Sequence, residues 1–155
     1  MARWLIVNSI HHASQGGVGG YVDRVIRAGA EHGHAIELMT RPSDHLPPAH
    51  RLHLVETADM RPTFEARIAP LRRLDLIRPY RYGLWALAAA RRLAASDALA
   101  DRYDAIEFMD CRGEGVVAMS SPRVQARWAD TPMLIGAHTP MWVEEEMNEA
   151  DLSRF

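Results

Sequence analysis

Short apolar runs alternate along this chain with stretches whose apolar residues recur at helical spacing. The first run, Trp4-Leu5-Ile6-Val7 within "RWLIVNS", predicts a buried parallel strand. Val22, Val25, Ile26 and Gly29 follow at helical spacing, in a pattern that opens at Tyr21. "EHGHAIELMT" then supplies a glycine stop and a second strand. Three prolines mark "RPSDHLPPAH" as a loop. "RLHLVET" predicts a third strand in which Leu52, Leu54 and Glu56 alternate with polar neighbours. Residues 60–82 are Arg-rich, broken by Pro62, Pro70 and Pro79, and give no clear period. Leu84 to Ala100 reads as an alanine-rich helix with Arg91 and Arg92 towards solvent. "YDAIEFMD" and "PMLIGAHT" predict strands four and five, with a helical stretch near residues 114–128 between them. A last amphipathic pattern, "WVEEEMNEADL", approaches the C-terminus.

Strands that alternate with helices predict βαβ units and a parallel sheet covered on both faces. The expected fold is therefore α/β: residues 1–155 as one Rossmann-like domain, with helices on both faces and the sheet incomplete at the C-terminus. In such sheets a ligand sits beyond the carboxyl ends of the strands. Those ends carry the glycine loop after Asn8, Thr40-Arg41, Asp110-Cys111-Arg112-Gly113 and His138-Thr139-Pro140.

The loop "HHASQGGVGGYVDR" holds Gly16, Gly17, Gly19 and Gly20 directly before a helical pattern. Glycine costs backbone entropy, so this density argues for positive φ angles or for a ligand lying against the backbone. A loop of this kind feeding a helix offers unpaired N–H groups and the positive end of the helix dipole, which suits a phosphate. The alternative is a tight strand-to-helix turn with close packing. The dinucleotide fingerprint is incomplete, because Gly17-Val18-Gly19-Gly20-Tyr21-Val22 ends in valine and Glu37 lies inside the second strand. Arg41 could still meet a 2′-phosphate, which keeps an NADP-binding reductase open.

Composition narrows these options. All eighteen basic residues are arginine, so Schiff-base chemistry and a P-loop lysine are excluded. The slight acidic excess does not favour nucleic-acid binding. The single cysteine, Cys111, allows no internal disulfide and fits a reducing compartment. No apolar run is long enough for a signal peptide or a membrane span, so a soluble cytoplasmic protein is expected.

His138 closes an apolar strand, where it could act as acid, base or hydrogen-bond donor, or simply cap the next helix. His11-His12, His32-x-His34 and His50-x-x-His53 fall on different elements without a convincing carboxylate set, so no metal site is expected. Cys111 could pair with His138 as a thiol nucleophile, yet no orienting Asn or Asp is identifiable, and a small half-buried cysteine is the simpler reading. Arg67, Arg72, Arg73, Arg78 and Arg81, mixed with Tyr80 and Tyr82, could touch an anionic acceptor or a membrane surface, or form a solvated face. Trp142 could stack on a sugar ring or merely pack. Val143, Met147 and Leu152 on the last helical pattern could promote self-association.

Three stretches together resemble a known family. "RWLIVNSIHHASQGGVGGYVDRVIRAGAEHGHAIELMT" looks like the opening of GT-B glycosyltransferases of family four, with their strand, Gly-Gly loop, helix and Gly-His turn. "YDAIEFMD" resembles their fourth-strand region, and "TPMLIGAHTPMW" the strand that ends in their active-site histidine. The likeness covers most of the chain and is weakest between residues 41 and 102. It implies retaining transfer of a sugar from a nucleotide-diphosphate donor to an acceptor, with no further cofactor. Gly16 and Gly17 match the glycine pair whose backbone approaches the donor phosphates, and Gly19 lies beside it. His138 matches the histidine near the reacting centre. Asp110, Thr139 and Trp142 fall on the acceptor side by position. The family's second Rossmann-like domain, with its paired glutamates, has no counterpart in these 155 residues. The chain is therefore expected to be the acceptor-side half, with little or no transferase activity alone. A non-catalytic Rossmann-like binding module is the third reading.

Overall fold

A computed structural model describes residues 1–9, 17–58, 80–99, 102–109 and 114–136, the side chains of 80–82 excepted. Five strands form one all-parallel sheet: β1 (Arg3–Val7), β2 (Ala35–Thr40), β3 (Arg51–Leu54), β4 (Ala105–Met109) and β5 (Met133–Gly136), in the spatial order β3-β2-β1-β4-β5. The helices are α1 (Val18–Glu31), α2 (Tyr80–Ala95), α3 (Glu114–Met119) and α4 (Pro122–Arg127). This is the Rossmann-like α/β arrangement. The chain runs outward from β1 to β3, then crosses to β4, so the strand order reverses between β1 and β4.

Side chains alternate between the two sheet faces, and each face has its own core. Ile6, Ile36, Leu38 and Met109 pack with Val22 and Ile26 of α1. On the other face Leu5, Val7, Met39, Ile106 and Phe108 pack with Trp85 and Leu93 of α2, and with Ala118 and Val124 of α3 and α4. Every residue of β2 and β4 is buried, as strands covered on both faces require.

Helix α1 meets the sheet closely because residue 29 has no side chain. A Cβ there would lie 2.3 Å from Cγ1 of Ile36. The helix ends in a Schellman motif, with Gly33 at φ 71°, its N–H bonded to Ala30 O and the His34 N–H bonded to Gly29 O. That turn sets β2 beside β1 in the register Arg3↔Ala35 to Val7↔Met39.

Several elements depart from the pattern-based expectation. Helix α1 starts at Val18 rather than Tyr21 and takes Gly19 and Gly20 into its first turn. Helix α2 runs from Tyr80 to Ala95, earlier than the alanine-rich stretch alone indicates. The helical stretch near 114–128 is two short helices, since Pro122 opens a new one at its first turn. Strand β3 is turned over: His53 is buried, while Leu52 and Leu54 are 37% and 40% exposed. The reason is a hydrogen bond across the sheet. His53 Nε2 lies 2.7 Å from Glu37 Oε2, and that buried pair outweighs the gain from tucking in two leucines on an edge strand. At the opposite edge β5 exposes Leu134 and Ile135. Among the described residues no helix is long and apolar enough to cross a membrane.

Candidate functional site

The candidate site lies at the carboxyl ends of β1 and β4, where the strand order reverses. Gly17 stands there as the N-cap of α1, at φ 78° and ψ −123°, a conformation that only glycine adopts without strain. Among the described residues no side chain caps the helix, and its first turn carries no acidic residue. The first intrahelical bond runs from Tyr21 N–H to Gly17 O at 3.0 Å. The N–H groups of Val18, Gly19 and Gly20 therefore precede the helical ladder and, by the geometry of an α-helix, have no intrahelical acceptor. Together with the dipole they make this end of α1 attractive to an anion.

The polar ends of the neighbouring strands lie at the same carboxyl edge of the sheet. Asn8 follows β1, is wholly buried, and donates its N–H to Met39 O at 3.0 Å. The strand register sets it beside Thr40, on the α1 side of the sheet. Thr40 is also buried, and its Oγ1 has no hydrogen-bond partner among the described residues. Tyr21, in the first turns of α1, donates its hydroxyl to Glu107 Oε1 of β4 at 3.2 Å. Burial, followed by the charge and hydrogen bond of Glu107, raises the Tyr21 pKa, so this phenol holds its proton at neutral pH.

Glu114, the first residue of α3, was not indicated by the sequence pattern. It is 1% exposed, and its Oε1 accepts both the N–H of Ser9, at 3.2 Å, and the Ser9 hydroxyl. This contact joins the segment just past β1 to the start of α3 across 105 residues of sequence. Gly115 makes the burial feasible, since a Cβ there would meet Ile135 Cγ1 and Phe108 Cβ, each at 3.2 Å. The flanking glycines in "RGEG" were the one available signal, because small neighbours let a helix start press against a sheet.

Of the residues singled out in the sequence, Gly17 and Gly19 fall together at this helix start, Gly17 as N-cap and Gly19 buried in the first turn. Gly16, Asp110, Cys111, His138, Thr139 and Trp142 lie outside the described residues, as do His11, His12 and the last amphipathic pattern. So do Arg67, Arg72, Arg73 and Arg78. Arg41 directly follows β2 at the same sheet edge and is half-buried. The remaining described histidines scatter. His32 Nδ1 donates to Ala28 O, and His34 Nδ1 accepts from the Ala2 N–H, both at the amino-terminal edge of the sheet.

Glu37 belongs to a different constellation, on the α2 face of the sheet. Its Oε2 accepts from His53 Nε2–H and from the Tyr103 hydroxyl, each at 2.7 Å, and Arg3 Nε lies 3.6 Å from Oε1. Burial pushes its pKa up, but the hydrogen bonds from His53 and Tyr103 and the charges of His53 and Arg3 outweigh this and hold it below the usual carboxylate value. Because the carboxylate is ionised it can only accept, which assigns the proton to His53 Nε2. This glutamate ties β1, β2, β3 and the start of β4 together; it is not placed to read a ribose at the end of β2.

No protein-family model matches the chain, and no curated protein matches it.

Proposed function

We propose that this chain is the acceptor-side domain of a GT-B-type glycosyltransferase, working on a sugar carried by a nucleotide diphosphate. The observation that supports this best is the start of α1. A glycine N-cap at positive φ and a first turn without an acidic residue stand at the reversal of an all-parallel sheet. Sugar transfer needs stabilisation of a departing diphosphate, and fixed N–H groups aimed at it provide that stabilisation. In this reading Gly16, Gly17 and Gly19 approach the donor phosphates and His138 lies near the reacting carbon. Asp110, Thr139 and Trp142 face the acceptor. A second αβ domain grips the nucleotide.

Titration of the purified chain with uridine diphosphate, by calorimetry or amide chemical shifts, tests the reading. Weak binding, abolished in Gly17→Val and perturbing the amides of Val18 to Gly20, is expected. Rapid sugar transfer by the 155-residue chain alone would contradict the half-enzyme reading. Arg41 at the end of β2 supports the reductase alternative, which predicts tight NADPH binding lost in Arg41→Ala. Failure of the chain to bind either ligand would leave the non-catalytic module.

A further inference from the structure

We infer that the cleft between the C-terminal half of α1 and the start of β1 binds a small phenolic molecule, an aromatic ring bearing a hydroxyl. The cleft has a volume of about 280 Å³ and lies at the amino-terminal edge of the sheet, at the end of α1 opposite to Gly17. The inference therefore stands apart from the function proposed above. The lining is apolar, with Trp4 of β1, Val25 and Ala28 of α1 and Ile36 of β2. Gly29 lets the helix backbone form part of it, because it lies against Ile36 where a Cβ would not fit. Trp4 supplies an aromatic surface that favours a ring over an aliphatic chain.

His32 and His34 give this lining a polar rim, and the Schellman turn at Gly33 fixes both. His32 donates its backbone N–H, at 3.1 Å, and its Nδ1–H, at 2.8 Å, to Ala28 O. His34 donates its backbone N–H to Gly29 O at 2.8 Å, and its Nδ1 accepts the Ala2 N–H at 3.3 Å. A carbonyl can only accept, so His32 carries its proton on Nδ1 and offers Nε2 as an acceptor. The Nδ1 of His34 accepts, so its proton sits on Nε2, which is a donor. Among the described residues neither Nε2 has a hydrogen-bond partner. The cleft thus presents one held donor and one held acceptor beside an aromatic wall. A hydroxyl answers both with a single atom, and rings fixed beforehand bind it without an ordering cost.

The surroundings fit a small molecule and not a protein surface. Among the described residues, the large apolar side chains that are exposed, such as Leu52, Leu134 and Ile135, line other surfaces. The outer face of α1 beside the cleft is charged, with Arg27 paired to Asp23 at 2.9 Å. So little apolar area suits one ring better than a protein interface.

Titration with phenol and with toluene tests the site, read from the indole N–H of Trp4 and the methyl groups of Val25 and Ile36 in heteronuclear spectra. The two probes share a ring and differ only in a hydroxyl against a methyl. A merely apolar cleft prefers toluene, because phenol must shed the water bound to its hydroxyl. The histidine rim should reverse that order, with phenol saturating in the millimolar range and binding at least about threefold more tightly than toluene. Ala28→Leu, which suits a helix and fills the cleft, should abolish binding of both. His32→Ala and His34→Ala should each weaken phenol about fivefold and leave toluene within about twofold. Absence of saturable shifts at these groups in wild type overturns the site, and so does unchanged phenol affinity in folded Ala28→Leu. Toluene binding as tightly as phenol, or both probes weakening together in the histidine variants, overturns the phenolic assignment.

Discussion

Two glutamates are buried to the same degree in this domain, and they serve opposite ends of it. Glu37 sits inside β2 beneath the α2 face, surrounded by His53, Tyr103 and Arg3, and its partners are all structural. Glu114 sits at the sheet's carboxyl edge, where it accepts from Ser9 just past the end of β1. A buried carboxylate by itself therefore says little about function. What separates the two is position relative to the strand ends: the first is enclosed between layers, whereas the second borders the place where this fold receives ligands.

Substitutions can break or sharpen that contrast. The largest effect is expected from Glu37→Ala, which strands the hydroxyl and imidazole of Tyr103 and His53 in the core. A loss of about 3–5 kcal/mol in urea unfolding is expected, as for removal of one partner from a buried charged network. Glu37→Gln should cost less and change the pH profile. The folded-state pKa of Glu37 is depressed, so its contribution is present above the ordinary carboxylate pKa and lost as pH falls through the folded value. Wild type should lose stability over that acid range, and the glutamine variant should show a shallower slope.

Gly29→Ala follows, because its Cβ would overlap Ile36; overpacking of this kind costs about 1–3 kcal/mol. Its effect should be confined to stability, with uridine diphosphate affinity unchanged per folded molecule. Gly17→Ala should cost about 1–3 kcal/mol through backbone strain at φ 78°, since no described residue lies within 4 Å of an added Cβ. Unlike Gly29→Ala, it should also weaken diphosphate binding measured on the folded fraction. That pairing separates a glycine required for packing from one required for a turn that meets a ligand. The smallest change belongs to Leu52→Thr on the exposed side of β3, expected within about 0.5 kcal/mol by thermal unfolding. A large loss there would show that β3 is held by its leucines and not by His53.

Much of the architecture was legible from local pattern. The apolar runs at residues 4–7, 36–39 and 105–109 are strands, and the glycine at 33 stops α1 as the Gly-His turn indicates. These succeed because a strand buried on both faces and a helix end at positive φ leave their marks within a few residues. Gly17 was legible for the same reason. Glu114 was not, since a glutamate at a helix start reads as a solvated charge favourable to the dipole. Only the approach of Ser9, 105 residues away, turns it into an internal ligand.

By itself, then, the order of amino acids determined the alternation of strands and helices, the α/β class and the glycine turn after the first strand. All of these follow from local periodicity and backbone freedom. The tertiary structure alone decided that β3 turns its histidine inward, that Glu37 is satisfied by β1, β3 and Tyr103, and that Glu114 reaches Ser9. Each of those choices balances burial of a polar group against a partner distant in sequence, and that partner exists only once the sheet has assembled.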